Sequence, residues 1–259
     1  MRRILLVLIA TVAVLGVGAA AAVADPPPPP GTPTATSFDG VPSVGPLFAS
    51  STSVTHGCTA SVVASPTRDL IITAAHCLSG TGAGRVFAPG YDNGATPYGV
   101  WTVTAAYVDP AWIASQDPTA DYAILRVAKH GRTAVQDVTG GALVGLAPRK
   151  GQRITDIAYN AGVDDQPIRC TVPTYRTAGY PAFNCHGYVG GSSGSPWLTT
   201  VPGTRLSVVH GVIGGLHQGG CFEYTSYSSP FEPSIYRVLG RAVIGASSDV
   251  LPPAGSDGC

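Results

Sequence analysis

Residues 190–196, with the sequence Gly-Gly-Ser-Ser-Gly-Ser-Pro, form the stretch of this chain best suited to chemistry. Glycines on either side of a serine let the backbone turn sharply and direct amide N–H groups at one point. An exposed serine hydroxyl beside such donors suits acyl transfer, because the donors can hold the negative charge that forms on the attacked carbonyl oxygen. The same composition is typical of a flexible Gly/Ser loop. The stretch therefore predicts a catalytic serine only if the chain also supplies a base and an acid.

His76 is the candidate base among the six histidines. It lies in the sequence Thr-Ala-Ala-His-Cys, residues 73–77, directly after an apolar run that predicts a buried strand. The candidate acid is Asp121, which opens another apolar run, because a buried carboxylate needs a partner and a histidine N–H is a suitable one. The alternative for both is structural: a core histidine, and a turn or cap residue such as we predict for Asp117.

Together, residues 73–77, 121–125 and 191–196 resemble the motifs of the chymotrypsin-like serine proteases. The order His, Asp, Ser matches that family, as do the 45 residues from His76 to Asp121. Three motifs in order are far more specific than any one of them alone.

The resemblance implies a role for each of these residues. The nucleophile is the third residue of the family's six-residue serine motif, which assigns Ser193 rather than a neighbouring serine. Ser193 would attack the scissile carbonyl, His76 would accept and return the proton, and Asp121 would orient the imidazole. The backbone N–H groups of Gly191 and Ser193 would form the oxyanion hole. The resemblance implies no metal and no organic cofactor.

A rival alignment places the nucleophile at Ser192. Residues 190–194 fit the Gly-x-Ser-x-Gly elbow of the α/β-hydrolases. That fold needs the order Ser, acid, His, but no Asp or Glu lies between Ser192 and His217, the last histidine. The elbow therefore lacks a triad, and the strand-rich sequence also opposes it.

The substrate-binding residues follow from a narrower resemblance, to the secreted bacterial branch that includes the glutamyl endopeptidases. Gly214 and Gly215 lie in a stretch similar to the strand that pairs with the substrate backbone. Residues 215–220 are similar to the stretch whose histidine binds an acidic substrate side chain in those enzymes. The resemblance implies that His217 favours Glu or Asp at P1, the residue before the scissile bond. The alternative is a solvent-facing loop histidine.

Three positions depart from the family patterns. Tyr188 stands where the glutamyl endopeptidases have a small hydroxyl residue, so its ring is expected to reshape the pocket. Gly187 stands where enzymes that cleave after Lys or Arg have an aspartate, which disfavours that specificity. Ser192 replaces the aspartate that pairs with the new N-terminal amine of the animal enzymes, so activation must differ here.

Short apolar runs separated by turn signals predict the elements that position these residues. The composition, with 33 Gly, 23 Pro and 1 Met, favours strands and turns over helices. The predicted strands are 59–64, 70–73, 99–107, 122–127, 153–159, 168–174, 207–213 and 238–245. One helical turn is predicted at 74–78 and about two at 233–239. With the family resemblance, which covers roughly residues 41–250, we expect an all-β, chymotrypsin-like fold of two six-stranded antiparallel barrels with the active site between them.

The N-terminal residues 1–24 predict a cleaved signal peptide, with Arg2 and Arg3 before an apolar run and a small-residue cleavage site. A membrane anchor is the alternative. Residues 25–40 predict a proline-rich linker or propeptide, with ordered sequence beginning near Val41 or Val44. We expect an N-terminal barrel over 41–140, and a C-terminal barrel and tail over 141–259.

Six cysteines in an exported chain predict three disulfides. Sequence proximity favours Cys58–Cys77 and Cys170–Cys185, which leaves Cys221–Cys259, although 15 pairings are possible for six cysteines. No two cysteines have the Cys-x-x-Cys spacing of zinc sites.

The predicted function is therefore that of a secreted, extracellular serine endopeptidase. Its partners would be polypeptide substrates, and we expect a monomer that has no membrane contact after signal cleavage. Charged residues make up 12% of the chain and the net charge is zero, so no basic surface for nucleic acid is expected. Two alternatives are a catalytically inactive binding protein on the protease scaffold and a structural or envelope protein with an incidental motif.

Overall fold

Fifteen short strands and three α-helices are present in the computed structural model, which describes residues 26–162 and 165–259. The strands are β1 (Thr36–Ser37), β2 (Val44–Phe48), β3 (Cys58–Val63), β4 (Leu70–Thr73), β5 (Val86–Phe87), β6 (Trp101–Val108), β7 (Ala123–Val127), β8 (Leu143–Val144), β9 (Arg153–Ala158), β10 (Ile168–Pro173), β11 (Tyr175–Thr177), β12 (Tyr180–Asn184), β13 (Pro196–Thr200), β14 (Ser207–Val212) and β15 (Thr225–Tyr227). The helices are α1 (Pro110–Ser115), α2 (Val135–Thr139) and α3 (Ser234–Val243). The predicted signal peptide, residues 1–24, lies outside the described residues. Within them, no helix is both long and apolar enough to span a bilayer.

The first half of the chain forms a closed antiparallel barrel in the strand order β2-β3-β4-β7-β6-β5. Every residue of β4 is buried, as its continuous apolar run predicts. In the pairing of β4 with β7, Thr73 lies opposite Ala123. The chain leaving β4 and the chain entering β7 therefore meet at one rim of the barrel, and this brings His76 and Asp121 together.

The second half is built from two sheets that do not close into a barrel. One has six strands in the order β1-β10-β9-β13-β14-β8, and the other has three in the order β11-β12-β15. The disulfide Cys170–Cys185 and a shared apolar core that includes Phe183 and Trp197 join the two sheets. The predicted chymotrypsin-like fold is confirmed. The first barrel is closed, whereas the two sheets of the second half are joined by side-chain contacts and a disulfide instead of continuous strand pairing.

The proline-rich N-terminal segment contributes a strand to the second half. β1 pairs with β10, and Thr34 forms a bridge with His186. The expectation that ordered sequence begins near Val41 or Val44 is therefore wrong, because backbone hydrogen bonds to a sheet edge fix residues 34–37 and Ala35 packs against the apolar core of the second half. The domain boundaries near residues 40 and 140 stay predictions.

The predicted strand 238–245 is also wrong, because most of it belongs to α3. The buried residues of α3 are Ile235, Val238 and Ala242, spaced three and four apart as on one face of a helix. The two helical turns predicted at 233–239 are confirmed as the beginning of α3. The turn predicted at 74–78 is confirmed as a 3-10 turn at Ala75–Cys77.

Candidate active site

His76 and Asp121 form a buried hydrogen-bonded pair at the rim of the first barrel. Nδ1 of His76 lies 2.7 Å from Oδ2 of Asp121, and the His76 backbone N–H donates to Oδ1 over 2.9 Å. An ionised carboxylate can only accept, so Nδ1 carries the hydrogen of this contact. The other ring nitrogen, Nε2, is then the one able to accept a proton.

A third donor to Asp121 comes from the second half of the protein. The backbone N–H of Gly215 donates to Oδ2 over 2.7 Å, and Asp121 is fully buried. Gly215 has a φ of 78°, and a Cβ there would lie 2.7 Å from the backbone nitrogen of Ser229. Only glycine fits this backbone, so the stretch predicted to pair with substrate also satisfies the buried carboxylate.

The nucleophile loop, residues 190–196, is the turn that enters β13 and faces His76. The backbone N–H of Thr59 donates to the carbonyl of Ser193 over 2.7 Å. The backbone N–H of Gly194 donates to the carbonyl of Ile213 over 2.7 Å. These bonds tie the loop to both halves of the protein. Ser193 and His76 line one cavity of about 640 Å³ between the halves.

The three serines of this loop have different surroundings. The Oγ of Ser192 donates to the carbonyl of Val189 over 2.7 Å, and the Oγ of Ser195 donates to the carboxyl of Asp156. The half-buried Ser193 Oγ has no hydrogen-bond partner in the described part of the chain, nor does it bond to His76 in this structure. Such bonds often tighten only when substrate binds. Ser193 therefore carries the one hydroxyl of this loop that is free to react.

The backbone N–H groups of Gly191 and Ser193 are likewise unused, since neither has a protein acceptor in residues 26–162 or 165–259. Gly191 has a φ of 98°, and a Cβ there would lie 2.2 Å from the nitrogen of Ala161. Glycine is thus required at this turn, which leaves two donors beside a free hydroxyl.

The three disulfides present are Cys58–Cys77, Cys170–Cys185 and Cys221–Cys259. Cys58–Cys77 ties β3 to the 3-10 turn that carries His76. Cysteines surround two histidines closely enough to resemble metal-ligand clusters, at His76 and at His217. Their sulfurs are all in disulfides, so they cannot act as thiolate ligands.

Tyr188 lines the cavity with a buried ring. Its ring packs edge-on against Phe183 at 5.3 Å, and its hydroxyl donates to the carbonyl of Asp156 over 3.4 Å. Burial raises the pKa of Tyr188 well above its usual range. Together with Ile213, the ring gives this part of the cavity an apolar wall in place of the small hydroxyl residue of the glutamyl endopeptidases.

His217 lies on the same cavity but is also bonded to the tail segment, residues 251–259. Its Nδ1 donates to the carbonyl of Asp257 over 3.0 Å, and Gln218 donates to the carbonyl of Gly255 over 2.8 Å. Asp257 itself lines the cavity. Sequence reasoning missed this contact, although the predicted Cys221–Cys259 disulfide already placed the tail segment beside His217.

Glu223 is a second carboxylate on the cavity wall that sequence reasoning missed. It accepts from Nδ1 of His186 and from the backbone N–H of Gly187, each over 2.6 Å. Partial burial acts to raise the pKa of Glu223, but these two donors outweigh it and hold that pKa below its usual value. No local pattern in the sequence pairs Glu223 with Gly187, because the two residues are 36 positions apart and lie on different loops.

Opening the Cys221–Cys259 disulfide should free the tail segment, which forms the cavity wall beside His217. We predict that replacing both cysteines with serine raises KM by about 5–10-fold, the equivalent of roughly one lost hydrogen bond. We expect kcat to change less than about 3-fold, because His76, Asp121 and Ser193 lie on other elements. Steady-state kinetics on a peptide substrate measures both, and an unchanged KM would show that the tail segment does not contact substrate.

The comparisons with known proteins agree with the fold described above. The profile of the family described as "Trypsin-like peptidase domain" matches residues 58–204. Similar solved structures include the protease Anisep from Arthrobacter nicotinovorans, at 23% identity and a TM-score of 0.68 over 82% of this chain and 100% of that one. A thermostable serine protease, AL20, from an extremophilic microorganism has 24% identity and a TM-score of 0.65 over 78% and 97%. A Glu endopeptidase in complex with MPD has 16% identity and a TM-score of 0.63 over 83% and 98%. The sequence has no significant match among curated proteins.

Proposed function

The chain belongs to the family of trypsin-like peptidases and is a serine endopeptidase, and we propose that Ser193, His76 and Asp121 are its catalytic triad. One observation carries the proposal: His76, which is hydrogen-bonded to the buried Asp121, lines the same cavity as Ser193, the serine with the one unpaired hydroxyl of the nucleophile loop. The order of the three residues along the chain supports it further.

The proposed reaction uses these groups in sequence. Ser193 Oγ attacks the scissile carbonyl carbon while its proton passes to Nε2 of His76. The N–H groups of Gly191 and Ser193 stabilise the negative oxygen of the tetrahedral intermediate. When the intermediate collapses, the peptide C–N bond breaks, His76 returns the proton to the leaving amine, and Ser193 holds the acyl group. Water, activated by His76, then hydrolyses the acyl-enzyme and restores Ser193. Asp121 stabilises the imidazolium in both halves of the reaction.

We propose that the enzyme acts outside the cell. Three disulfides support this, because they persist in oxidising compartments. The apolar N-terminal sequence supports it as a predicted signal peptide. Expression of the full chain in a bacterial host, followed by N-terminal sequencing of the protein in the medium, tests this. Cell-retained protein with its N-terminus uncut would contradict it.

The acidic P1 preference stays a prediction and depends on His217. The position of His217 on the cavity wall supports it. The carboxylates of Glu223 and Asp257 line the same cavity and would repel an acidic side chain. Acidic specificity therefore requires a protonated His217 closer to the substrate carboxylate than either of them.

Replacing His217 with glutamine tests this specificity. If His217 binds an acidic P1 side chain, His217→Gln should lower kcat/KM by about 10–100-fold for a peptide with Glu at P1, since a hydrogen bond between charged groups contributes about 1.5–3 kcal/mol. A matched peptide with Ala at P1 should change less than about 3-fold. A cleavage profile of the wild type over all P1 residues is measured alongside. Preference for Lys or Arg in that profile would contradict the role of His217 and would point to Glu223 and Asp257 instead.

A further inference from the structure

A fully buried carboxyl group lies directly behind the nucleophile loop and has no part in the triad. Asp156 lies in the middle of β9, and its two carboxyl oxygens lie 2.9 Å and 3.0 Å from the Oγ of Ser195, within hydrogen-bond distance. Both residues are completely buried. They meet because β13 begins next to β9, with Trp197 opposite Asp156. Ser195 stands two residues after Ser193, so this contact holds the far side of the loop that carries the nucleophile.

Asp156 has no cationic partner among the described residues. Burial raises its pKa well above the usual range, and the hydrogen bond from Ser195 and the nearby hydroxyl of Tyr188 offset only part of that effect. A protonated, neutral carboxyl avoids the cost of an unpaired buried charge. It both donates and accepts hydrogen bonds, which suits a fixed contact with a hydroxyl group.

The nucleophile loop needs such a fixed contact, because its two unused N–H groups must stay in place without acceptors. In the animal enzymes that this chain resembles, an aspartate before the nucleophile pairs with a new N-terminal amine. Here that position is Ser192, whose Oγ donates to the carbonyl of Val189 within the same loop. It offers no charge to an amine, so the loop must be held in another way.

We propose that Asp156 is a positioning residue, which through Ser195 fixes the nucleophile loop against β9 and holds the oxyanion donors without an N-terminal amine. The proposal rests on the assignment of Ser193, Gly191 and His76 made above. On this proposal, the oxyanion hole forms when the second half of the protein folds, through the contact between Asp156 and Ser195. The activity of this enzyme is then independent of a free amine at a defined N-terminal residue.

Variants of the two partners test the contact. We expect Ser195→Ala and Asp156→Ala to lower kcat by about 10–100-fold with KM changed less than about 3-fold, since the oxyanion donors act mainly on the transition state. Asp156→Asn keeps a hydrogen-bonding side chain of nearly the same shape, so it should retain kcat within about 3-fold. Ser234→Ala is the control, because it also removes a hydrogen-bonded hydroxyl, one that is half-buried and lies 2.9 Å from the hydroxyl of Tyr122.

The control separates positioning from a general loss of stability. Ser234→Ala should lower the thermal midpoint but leave kcat unchanged. If Asp156→Ala does not fold, Ser195→Ala alone decides. A kcat for folded Ser195→Ala equal to that of Ser234→Ala would overturn the proposal, as would an Asp156→Asn variant as impaired as Asp156→Ala.

The N-terminus provides an independent test. Adding two residues, Gly-Ser, to the N-terminus of the mature enzyme moves its amine, and we expect kcat to stay within about 2-fold. A large loss of kcat would contradict the proposal, because it would show that an N-terminal amine forms the site. Fluorophosphonate labelling distinguishes a wrong triad assignment from a wrong role for Asp156. If the wild type is not labelled, the assigned triad is wrong; if wild type and Ser195→Ala are labelled equally fast, only the role of Asp156 is wrong.

Discussion

Ser193→Ala should lower kcat by about 10⁴–10⁶-fold, the range expected when a triad nucleophile is removed. The variant loses the only atom of the loop placed to form the acyl-enzyme, so the remaining rate comes from the oxyanion donors and from substrate binding. KM should change little, because the Ser193 Oγ bonds to no other described residue and its loss leaves the cavity walls in place. Hydrolysis of a chromogenic peptide, followed with enzyme concentrations high enough to detect the residual rate, measures the effect.

Ser192→Ala serves as the comparison within the same loop. Its hydroxyl already donates to the carbonyl of Val189, so its removal should cost far less activity than removal of the Ser193 hydroxyl. The opposite order, with Ser192→Ala inactive and Ser193→Ala active, would restore the α/β-hydrolase alignment and contradict the triad. A thermal midpoint for each variant ensures that lost activity does not reflect lost fold.

Asp121→Asn should lower kcat by about 10⁴-fold. The carboxylate accepts three donors, from the His76 ring, the His76 backbone and the Gly215 backbone. An asparagine offers one carbonyl oxygen and one NH₂ group, so at least one of these donors would face another donor. If the NH₂ group faces Nδ1, the hydrogen of the imidazole moves to Nε2, and His76 can no longer accept the proton of Ser193.

Asp117→Asn is the matched control for this change. Asp117 caps the 3-10 turn at Pro118–Ala120, where its side chain accepts from the backbone N–H of Thr119 over 2.8 Å. Asparagine caps helical turns as well as aspartate does, so kcat should remain within about 2-fold of the wild type. An Asp121→Asn variant that keeps more than about a tenth of the wild-type kcat would contradict the role of Asp121. The rate of reaction with a fluorophosphonate tests the same role without peptide substrate. A slower reaction in Asp121→Asn than in the wild type would support it.

The parts of this site that could be predicted from sequence are those encoded by short, local patterns. The run Leu70–Thr73 predicts a buried strand, and it pairs with the run that follows Asp121. Two apolar strands paired in register bring His76 and Asp121 to one rim, so their meeting follows from patterns that the sequence displays. The even number of cysteines predicts three disulfides, and Cys221–Cys259 is the pair left once sequence proximity has favoured the other two.

The residues that sequence reasoning missed owe their positions to contacts between distant segments. Glu223 reaches Gly187 across a loop reversal, and no local pattern encodes that approach. The burial of Asp156 could have been predicted from the sequence. Ile154, Asp156 and Ala158 are alternate residues of one strand, so their side chains lie on the same, buried face. An acid at an inward position of an apolar strand predicts a buried carboxyl. Its partner could not be predicted, because the pairing of β9 with β13 joins segments about forty residues apart.

The error at residues 238–245 has a related cause. A short apolar run fits a buried strand and one face of a helix equally well. The helical period becomes visible only when Ile235 is included, which the predicted strand excluded. Tertiary packing of α3 against β6 and β7 then fixes the helix.

Labelling with a fluorophosphonate probe, followed by mass spectrometry of the digested protein, tests the central claim most directly. The probe reacts much faster with a serine hydroxyl that is activated by a base and faces an oxyanion hole than with an ordinary serine. The triad assignment predicts one label per molecule, on Ser193, absent in Ser193→Ala and formed far more slowly in Asp121→Asn. A wild-type protein that is folded but unlabelled, or a label on Ser192 or Ser195, would contradict it.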